Sequence, residues 1–267
     1  MSNVFPAPTS LIGSERTRVT VVGLGGTGSH FAEGLARLQH TLMALGHPGF
    51  DVTLMDGDTV GRANVGRQRF YEADIGASKV MCLVQRINQA YGFAWKPEHR
   101  FFAPNELRTT YRVPDLLVTC TDKAAVRAAI GQMGTKAGKG LLWLDFGNGP
   151  KTGQVMLGHL GDCEAPLRLP NVFDLYPELA SMEQVDSEEP SCSMEEAITR
   201  QEFPINQQVA MLGISMLWTL IRHGQLDHHG YHVETHPAVI TRPMKIDPEA
   251  WAFYGYQPKP KKGRKKD

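Results

Sequence analysis

The sequence predicts an α/β fold: a doubly wound, Rossmann-like and mostly parallel sheet with a crossover loop and a C-terminal helix plus β-hairpin. Three observations predict it. Apolar strand patterns alternate with helical patterns, a glycine-rich turn joins the first strand to the first helix, and two strands end at an acidic residue. Strands that alternate with helices favour a parallel sheet covered by helices on both faces.

The first elements form the opening unit of such a fold. Residues 18–22, RVTVV, predict a short β-branched strand that runs into the turn GLGGTGS at 23–29. Residues 30–46 place their apolar side chains at helical spacing, and DVTLMD at 51–56 predicts the second strand. Strand, glycine-rich turn, helix and strand are the start of a doubly wound sheet.

The later elements continue the alternation. They are a helix at 77–92, a strand at 114–122, a helix at 124–138 and strands at 140–149 and 154–160. Residues 161–205 then form a polar stretch with five prolines, expected to be a functional or mobile crossover loop. Residues 206–224 predict a strongly apolar helix, and residues 230–248 predict a closing hairpin.

This order suggests one domain with two short extensions. Residues 1–17 are expected to be an irregular lead-in, 18–256 a single domain, and 257–267 a basic, disordered tail. Lys plus Arg and Asp plus Glu both number 28, so overall charge indicates no particular partner. The last nine residues nevertheless contain six basic ones, which makes contact of this tail with nucleic acid an open alternative.

Cysteine spacing and hydropathy limit the class of protein. The four cysteines, Cys82, Cys120, Cys163 and Cys192, include no C-x-x-C pair, which excludes the commonest zinc spacing and a compact disulfide framework. No signal-peptide pattern and no membrane-spanning apolar run is found. We therefore expect a reduced, cytoplasmic protein without membrane contact.

The glycine-rich turn predicts nucleotide binding. Gly23, Gly25 and Gly28 satisfy G-x-G-x-x-G directly after a strand and at the start of a helix, which is the context that the motif requires. The glycines let a phosphate approach the backbone, and the helix start offers unpaired N–H groups. The motif does not separate NAD from FAD or ATP, and a tight turn with a packing role only is the alternative.

The polar stretch DGDTVGRANVGRQRF, which follows the second strand, favours ATP. Asp56 ends that strand, where a carboxylate accepts the hydroxyls of a ribose. Asn64, Arg67 and Gln68 lie just beyond it, and guanidinium and amide donors suit a triphosphate. The stretch also contains Arg62 and Arg69, which have no assigned task and are expected to be solvated.

Five motifs together resemble the E1-like activating enzymes, that is, the ThiF/MoeB sulfur-carrier adenylyltransferases and the adenylation domains of ubiquitin-activating enzymes. The motifs, in the order and spacing of that family, are GLGGTG at 23–28, DGDTV at 56–60, NVGRQ at 64–68, GASK at 76–79 and CTD at 120–122. The resemblance extends over residues 18–248. Within it, the helix-and-hairpin ending looks most like the ThiF-like protein of plasmid-associated PRTRC gene systems.

The resemblance implies a role for each motif residue. Gly26 and its neighbours would lie against the phosphates of ATP, and Asp56 would bind the ribose. Asn64, Arg67 and Lys79 would bind the triphosphate and stabilise the charge that develops in the transition state. Asp122 would bind Mg²⁺, and Asp58 would support the loop or the metal. Taken singly, Lys79 could be a surface lysine and Asp122 a helix N-cap.

The implied reaction is adenylation. The C-terminal carboxylate of a small ubiquitin-like, β-grasp protein that ends in Gly would attack ATP and form an acyl-adenylate. Many family members then transfer the activated carbonyl to a cysteine on the crossover loop, and Cys192 is the candidate here, with Cys163 a weaker one. An inert loop cysteine is the alternative, because four glutamates surround Cys192 in sequence and disfavour a thiolate. Dimerisation with a second copy is expected by analogy.

Several features leave other functions open. The paired C-x-x-C motifs of many sulfur-carrier enzymes are absent, and only Arg16 and Arg18 precede the first strand as candidates for an arginine supplied to the partner subunit. Histidines between 223 and 236 suggest a metal site without a defined third ligand. The alternatives to adenylation are an NAD(P)-dependent oxidoreductase, favoured by the glycine loop alone, and a non-catalytic scaffold that binds nucleic acid through its tail.

Overall fold

The structure, a computed structural model of the chain, describes residues 3–109, 113–133, 141–161, 167–181 and 202–257. Its strands are β1 (Phe5–Pro6), β2 (Thr17–Val22), β3 (Phe50–Met55), β4 (Lys96–Glu98), β5 (Leu116–Thr119), β6 (Leu141–Asn148), β7 (Thr152–Leu160), β8 (Gln225–Leu226), β9 (His228–Glu234) and β10 (Ile240–Lys245). Its helices are α1 (Thr9–Ile12), α2 (Gly26–Ala44), α3 (Lys79–Tyr91), α4 (Glu106–Thr109), α5 (Ala124–Gln132), α6 (Val172–Leu175), α7 (Ile205–His223) and α8 (Pro248–Phe253).

One sheet of eight strands forms the centre, in the order β10-β9-β7-β6-β5-β2-β3-β4. The five strands from β4 to β6 are parallel neighbours, while β7, β9 and β10 extend the sheet in antiparallel pairs. The predicted fold class is therefore confirmed, including the C-terminal helix and hairpin. The short edge strand β4 and the last helix α8 were not predicted. The side chain of Asp247 accepts hydrogen bonds from two backbone N–H groups of α8 and so begins that helix.

The core lies on both faces of this sheet. Helices α2 and α7 pack together across one face, where an added Cβ at Gly34 would lie 2.9 Å from Ile214. Phe31 of α2 contacts Phe146 of β6 with ring centroids 5.2 Å apart, and both rings are buried. Burial of each such side chain contributes about 1.5–3 kcal/mol to folding, so this contact fixes α2 and its N-terminus relative to the sheet.

Two stretches predicted as irregular have more structure than expected. In the lead-in, β1 pairs with β8, and Phe5 and Leu11 are buried. In the predicted crossover loop, residues 167–181 contain α6 and a 3₁₀ turn at Pro177–Ala180. Leu169 and Val172 are buried there, because this proline-rich stretch spaces its few apolar side chains so that they face the core. Residues 182–201 lie outside the described part of the chain, as does the basic tail from 258 onward.

Two buried histidines, on β7 and β9, form hydrogen bonds with segments that pack against the sheet. Trp251 of α8 donates its indole N–H to His229 Nε2 at 3.1 Å, so His229 Nδ1 is the protonated nitrogen that faces the carbonyl oxygen of Leu157. On β7, His159 Nδ1 accepts the N–H of Leu169 at 3.0 Å. Burial lowers the pKa of His159 and of His229 to about 4. Both rings are therefore neutral at physiological pH.

The described residues give no sign of a metal site in the histidine-rich stretch. Among them, no group of three or more His, Cys, Asp or Glu side chains is arranged to bind a metal ion. Within the same described ranges, no helix is long and apolar enough to cross a membrane.

We expect the free energy of unfolding to fall by about 2 kcal/mol for each of these two histidines between pH 7 and pH 5. The unfolded chain takes up each proton near the ordinary histidine pKa of 6.5, whereas the folded protein excludes it until about pH 4. The stabilisation is therefore complete above pH 6.5 and is lost as the pH falls towards 4. Urea denaturation at a series of pH values measures this dependence.

The variant His229→Gln separates the two contributions. Its amide oxygen can still accept the Trp251 N–H, but the side chain does not titrate, so about half of the pH dependence should disappear. His223→Gln, at an exposed position, is the matched control. An unchanged slope in His229→Gln would contradict the assignment.

Candidate active site

The candidate site lies at the carboxyl edge of the parallel strands. The glycine turn follows β2, the polar stretch 56–70 follows β3, residues 120–123 follow β5, and Asn148 ends β6. Because β5, β2 and β3 are parallel neighbours, their carboxyl ends meet at one edge. This is the place where open α/β sheets bind their ligands.

The glycines of the turn divide into packing positions and one open position. Gly23 has φ +84°, and an added Cβ at Gly28 would lie 1.9 Å from the carbonyl oxygen of Gly23. A Cβ at Gly26 would lie 2.5 Å from the side chain of Asn206. At Gly25 the nearest atom would be Gln68 Nε2, at 4.0 Å. Gly25 is therefore the position of this turn that a phosphate can approach, and Gly26, assigned to the phosphates, packs against α7.

Gly25 is also the N-cap of α2, and no side chain caps this 19-residue helix. The N–H groups of the first turn are thus directed at the edge of the sheet, together with the positive end of the helix dipole. The geometry supplies an anion site next to Gly25.

Asp56 is buried and is already engaged with the backbone. One carboxylate oxygen accepts the N–H of Leu24 at 2.6 Å, and the other accepts the N–H of Asp58 at 2.7 Å. Burial raises the pKa of Asp56, while these hydrogen bonds and Lys79 oppose that rise. A carboxylate has about four lone-pair sites, so two remain for ribose hydroxyls. Asp56 therefore connects the glycine turn to the stretch after β3.

Lys79, at the start of α3, is buried rather than on the surface. Its Nζ donates to Asp58 Oδ2 at 2.9 Å, and its side chain is 8% exposed, against 52% for Asp58. The alternative of a surface lysine is therefore wrong.

The NVGRQ motif approaches the glycine turn at Gln68, whose Nε2 would lie 4.0 Å from an added Cβ at Gly25. Asn64 Oδ1 accepts the N–H of Gly61 at 2.9 Å, which orders the loop. Burial lowers the pKa of Arg67, and the charge of Asp122 opposes this effect. In the described part of the chain, the buried atoms Arg67 Nε and Gln68 Oε1 have no hydrogen-bond partner. Unsatisfied buried polar atoms of this kind are candidates for ligand contacts.

The two arginines without an assigned task differ. Arg62 is exposed, as expected. For Arg69 the expectation of a solvated side chain is wrong. Its guanidinium donates to Glu33 of α2 at 2.8 Å, and its backbone N–H donates to Ser29 Oγ at 3.1 Å. Arg69 therefore holds the motif loop against α2.

Asp122 is exposed at the edge and does not cap α5, whose N-cap is Lys123. Its carboxylate is close enough to Arg67 for the two charges to interact. One accessible carboxylate beside a phosphate site fits Mg²⁺, which is usually bound by one or two carboxylates plus phosphate oxygens. Asp122 is the residue that would bind it.

Two polar clusters were missed by sequence reasoning. Asn148 Nδ2 donates to Thr27 Oγ1 and to Asn206 Oδ1, at 2.5 and 2.7 Å. This cluster joins the first turn of α2 to β6 and to α7. A polar residue next to an apolar helix pattern, as at Asn206, is the only signal that the sequence offers.

The second cluster that sequence reasoning missed is buried and joins β5, β6 and α5. Asp145 of β6 is 1% exposed and binds Arg127 of α5 and Thr119 of β5. Trp143 in turn donates to Thr119 Oγ1 at 2.8 Å. The aspartate in the apolar strand LLWLDF was a signal for it, since a buried charge requires a partner.

The cysteines give no nucleophile within the described residues. Cys192 and Cys163 lie outside them. Cys82 and Cys120 are free thiols packed against the core, and burial raises the pKa of both. A raised pKa disfavours the reactive thiolate, in agreement with their predicted role as small apolar residues.

Comparisons with known proteins agree with this fold. Residues 13–241 match the sequence model of the ThiF family. The fold is similar to the crystal structure of selenomethionine PaaA (16% identity, TM-score 0.59, covering 86% of this chain and 64% of that one). It is also similar to E. coli MccB with ATP (15%, 0.60, 88% and 66%) and to E. coli MccB with AMPCPP and MccA (15%, 0.59, 87% and 65%).

At these identities the likeness concerns the fold. The chain spans 64–66% of the length of those structures. No curated protein matches the chain significantly.

Alanine at Gly25 and at Gly28 should have opposite effects. Gly25→Ala adds a methyl group with no atom closer than 4.0 Å, so it should destabilise the fold less than Gly28→Ala while ATP binding is lost. Gly28→Ala forces a methyl group into the Gly23 carbonyl and should destabilise the fold by about 1–3 kcal/mol or more. Calorimetric ATP titration and thermal melting measure the two effects. Full ATP affinity in Gly25→Ala would show that phosphates bind elsewhere.

Proposed function

The chain belongs to the ThiF family, and from this membership we propose that it uses ATP to adenylate the C-terminal carboxylate of a small protein or peptide. The observation that supports this proposal best is the convergence at one sheet edge. The accessible Gly25 at the N-terminus of α2, the buried ammonium of Lys79, and the neighbouring charges of Arg67 and Asp122 all follow strands that end at this edge.

The similar structures support the substrate classes. Crystal structures of E. coli MccB contain ATP in one case and AMPCPP with MccA in another. For the present chain we propose ATP and, as the second substrate, a ubiquitin-like, β-grasp protein ending in Gly. A shorter peptide is the second candidate, since only a free C-terminal carboxylate is chemically required.

In the proposed reaction, a carboxylate oxygen of the substrate attacks the α-phosphorus of ATP. The bond from that phosphorus to the pyrophosphate oxygen breaks, and pyrophosphate leaves with the electron pair. The nucleophile is already anionic, so no general base is needed. Catalysis then depends on positioning and on stabilising the charge that develops on the phosphate oxygens.

The residues of this chain have separate tasks in that reaction. Gly25 and the first turn of α2 receive phosphate oxygens, and Asp56 binds the ribose while it fixes the turn. Arg67, Lys79, Asn64 and Gln68 supply donors for the phosphates. Mg²⁺ bound at Asp122 would neutralise charge on the departing pyrophosphate.

Three finer assignments stay predictions. Transfer of the activated carbonyl to Cys192 depends on a residue outside the described part of the chain. The homodimer and the assignment to the PRTRC-associated subfamily depend on the resemblance of the sequence. The oxidoreductase alternative depends on the glycine turn alone, and the family match favours adenylation over it.

We expect ATP–pyrophosphate exchange that requires the C-terminal carboxylate of the cognate protein. Arg67→Ala or Asp122→Ala should lower the exchange rate by about 10²–10³-fold, because each removes charge stabilisation from the transition state. Exchange of ³²P-labelled pyrophosphate into ATP, in the presence of candidate small proteins ending in Gly, measures it. Arg62→Ala, in the same loop but exposed, is the matched control.

Unimpaired exchange in both variants would contradict the residue assignment. Tight NADH binding without ATP binding would contradict the proposed function and favour the oxidoreductase.

Phe101, which the sequence analysis did not name, is our candidate for the residue that contacts the nucleobase. If the phosphates bind at the end of β2 and the ribose at the end of β3, the nucleobase lies towards the edge strand β4, which is the next strand in the sheet. Just after β4, the Phe101 ring lies against Gly57, where an added Cβ would be 2.8 Å from the ring, yet Phe101 is 67% exposed. Lys123 Nζ lies 5.9 Å from the ring centroid. We therefore propose that the adenine stacks on Phe101.

Phe101→Ala should raise the KM for ATP by about 5- to 100-fold and leave kcat nearly unchanged, because stacking of a base on an aromatic ring contributes about 1–3 kcal/mol. Exchange kinetics at varied ATP concentration measure both constants. Phe253→Ala, at a position that is 91% exposed on α8, is the control. An unchanged KM would place the adenine elsewhere without affecting the proposed reaction.

A further inference from the structure

The ion pair of Lys79 and Asp58 is asymmetric. The lysine side chain is 8% exposed and the aspartate side chain 52% exposed, although their Nζ and Oδ2 atoms lie 2.9 Å apart. A buried ammonium group without a partner is strongly disfavoured, whereas a half-exposed carboxylate can be hydrated. The lysine therefore depends on the aspartate more than the aspartate depends on the lysine.

The backbone fixes the two residues opposite each other. The N–H of Lys79 donates to the carbonyl of Asp58 at 3.1 Å, and Val60 and Ala77 are joined by an N–H to carbonyl bond of 2.8 Å. Thr59 and Ser78 form an isolated antiparallel bridge between them. The pair is thus held by a short ladder rather than by two mobile side chains on a surface.

The ammonium group donates its hydrogen bond to Asp58 and not to Asp56, although its charge also opposes the rise in the pKa of Asp56. The two oxygens of Asp56 accept the N–H groups of Leu24 and of Asp58 itself. An unbroken series of contacts therefore leads from the glycine turn through Asp56 and Asp58 to Lys79. Of the three donors of the ammonium group, one is bound by Asp58, and the other two can meet phosphate oxygens.

We propose that Asp58 is a positioning residue: it holds the buried ammonium of Lys79 in place for the phosphates of ATP and does not itself bind the nucleotide. This inference depends on the proposed function and assigns a role within the same site. This role is more specific than the one that the sequence suggested for Asp58, which was to support the loop or the metal.

The test compares Asp58→Ala, the isosteric Asp58→Asn, Lys79→Met and the double variant Asp58→Ala/Lys79→Met. Calorimetry measures ATP affinity, and adenosine, which has a ribose but no phosphates, is the reference ligand. We expect Asp58→Ala to weaken ATP binding by about 10- to 100-fold with Lys79 present and less than about twofold in the Lys79→Met background. Adenosine binding should be unchanged throughout.

Asp58→Asn retains the shape of the side chain, and it replaces Asp58→Ala in the test if the alanine variant fails to fold. It should give an intermediate loss of ATP affinity. Asp51→Asn is the matched control, because Asp51 lies at the opposite end of β3 and its exposed carboxylate pairs with Arg16 at 3.6 Å. This control should bind ATP like the wild-type protein.

Each outcome bears on one of the two proposals. Equal losses of ATP affinity in the presence and absence of Lys79, or equal losses for ATP and adenosine, would overturn the role of Asp58 and indicate a structural one. Coupled losses in a protein that binds ATP but catalyses no pyrophosphate exchange with any candidate small protein or peptide would overturn the reaction alone. A wild-type protein that does not bind ATP would overturn both.

Discussion

The site depends first on the buried carboxylate of Asp56. Its two oxygens accept N–H groups from Leu24 in the glycine turn and from Asp58 in the next loop, so one side chain sets the distance between them. The burial that raises the pKa of Asp56 is tolerable because these hydrogen bonds satisfy the carboxylate. Through Asp58 the same arrangement reaches Lys79 and the start of α3. A ribose that binds Asp56 would therefore meet a group whose position the fold has already determined.

The glycine turn shows how one motif serves both folding and binding. Gly28 is small because the backbone of Gly23 is beside it, and Gly26 is small because Asn206 of α7 is beside it. At Gly25 no atom lies closer than 4.0 Å to an added Cβ. Packing thus fixes two sides of the turn and leaves the third side free, which is what a preorganised anion site requires, since no backbone rearrangement is then needed on binding.

Much of this edge could be predicted from the sequence, because its parts follow strands. Apolar strand patterns place Asp56, Asp122 and the glycine turn at strand ends, and parallel strands bring those ends together. Contacts between distant segments could not be predicted in this way. Asn206 meets Thr27 across 179 positions of sequence, and Arg69 finds Glu33 on a helix that precedes it. No local pattern encodes such a pair, since only the packing of α7 and α2 on the sheet brings it together.

Charge balance explains why the backbone matters so much here. Asp56, Asp58 and Asp122 lie in the segments at this edge together with Arg67, Lys79 and Lys123, so the formal charges of these six side chains cancel. A triphosphate carries several negative charges, and a neutral set of side chains offers it little long-range attraction. In the proposed function the favourable terms are therefore local: the N–H groups and dipole at the uncapped start of α2, and the divalent cation that Asp122 would bind. Under the proposed function, this balance would favour a magnesium-bound nucleotide over simple anions, because without the cation the three carboxylates would offset the gain from the cationic side chains.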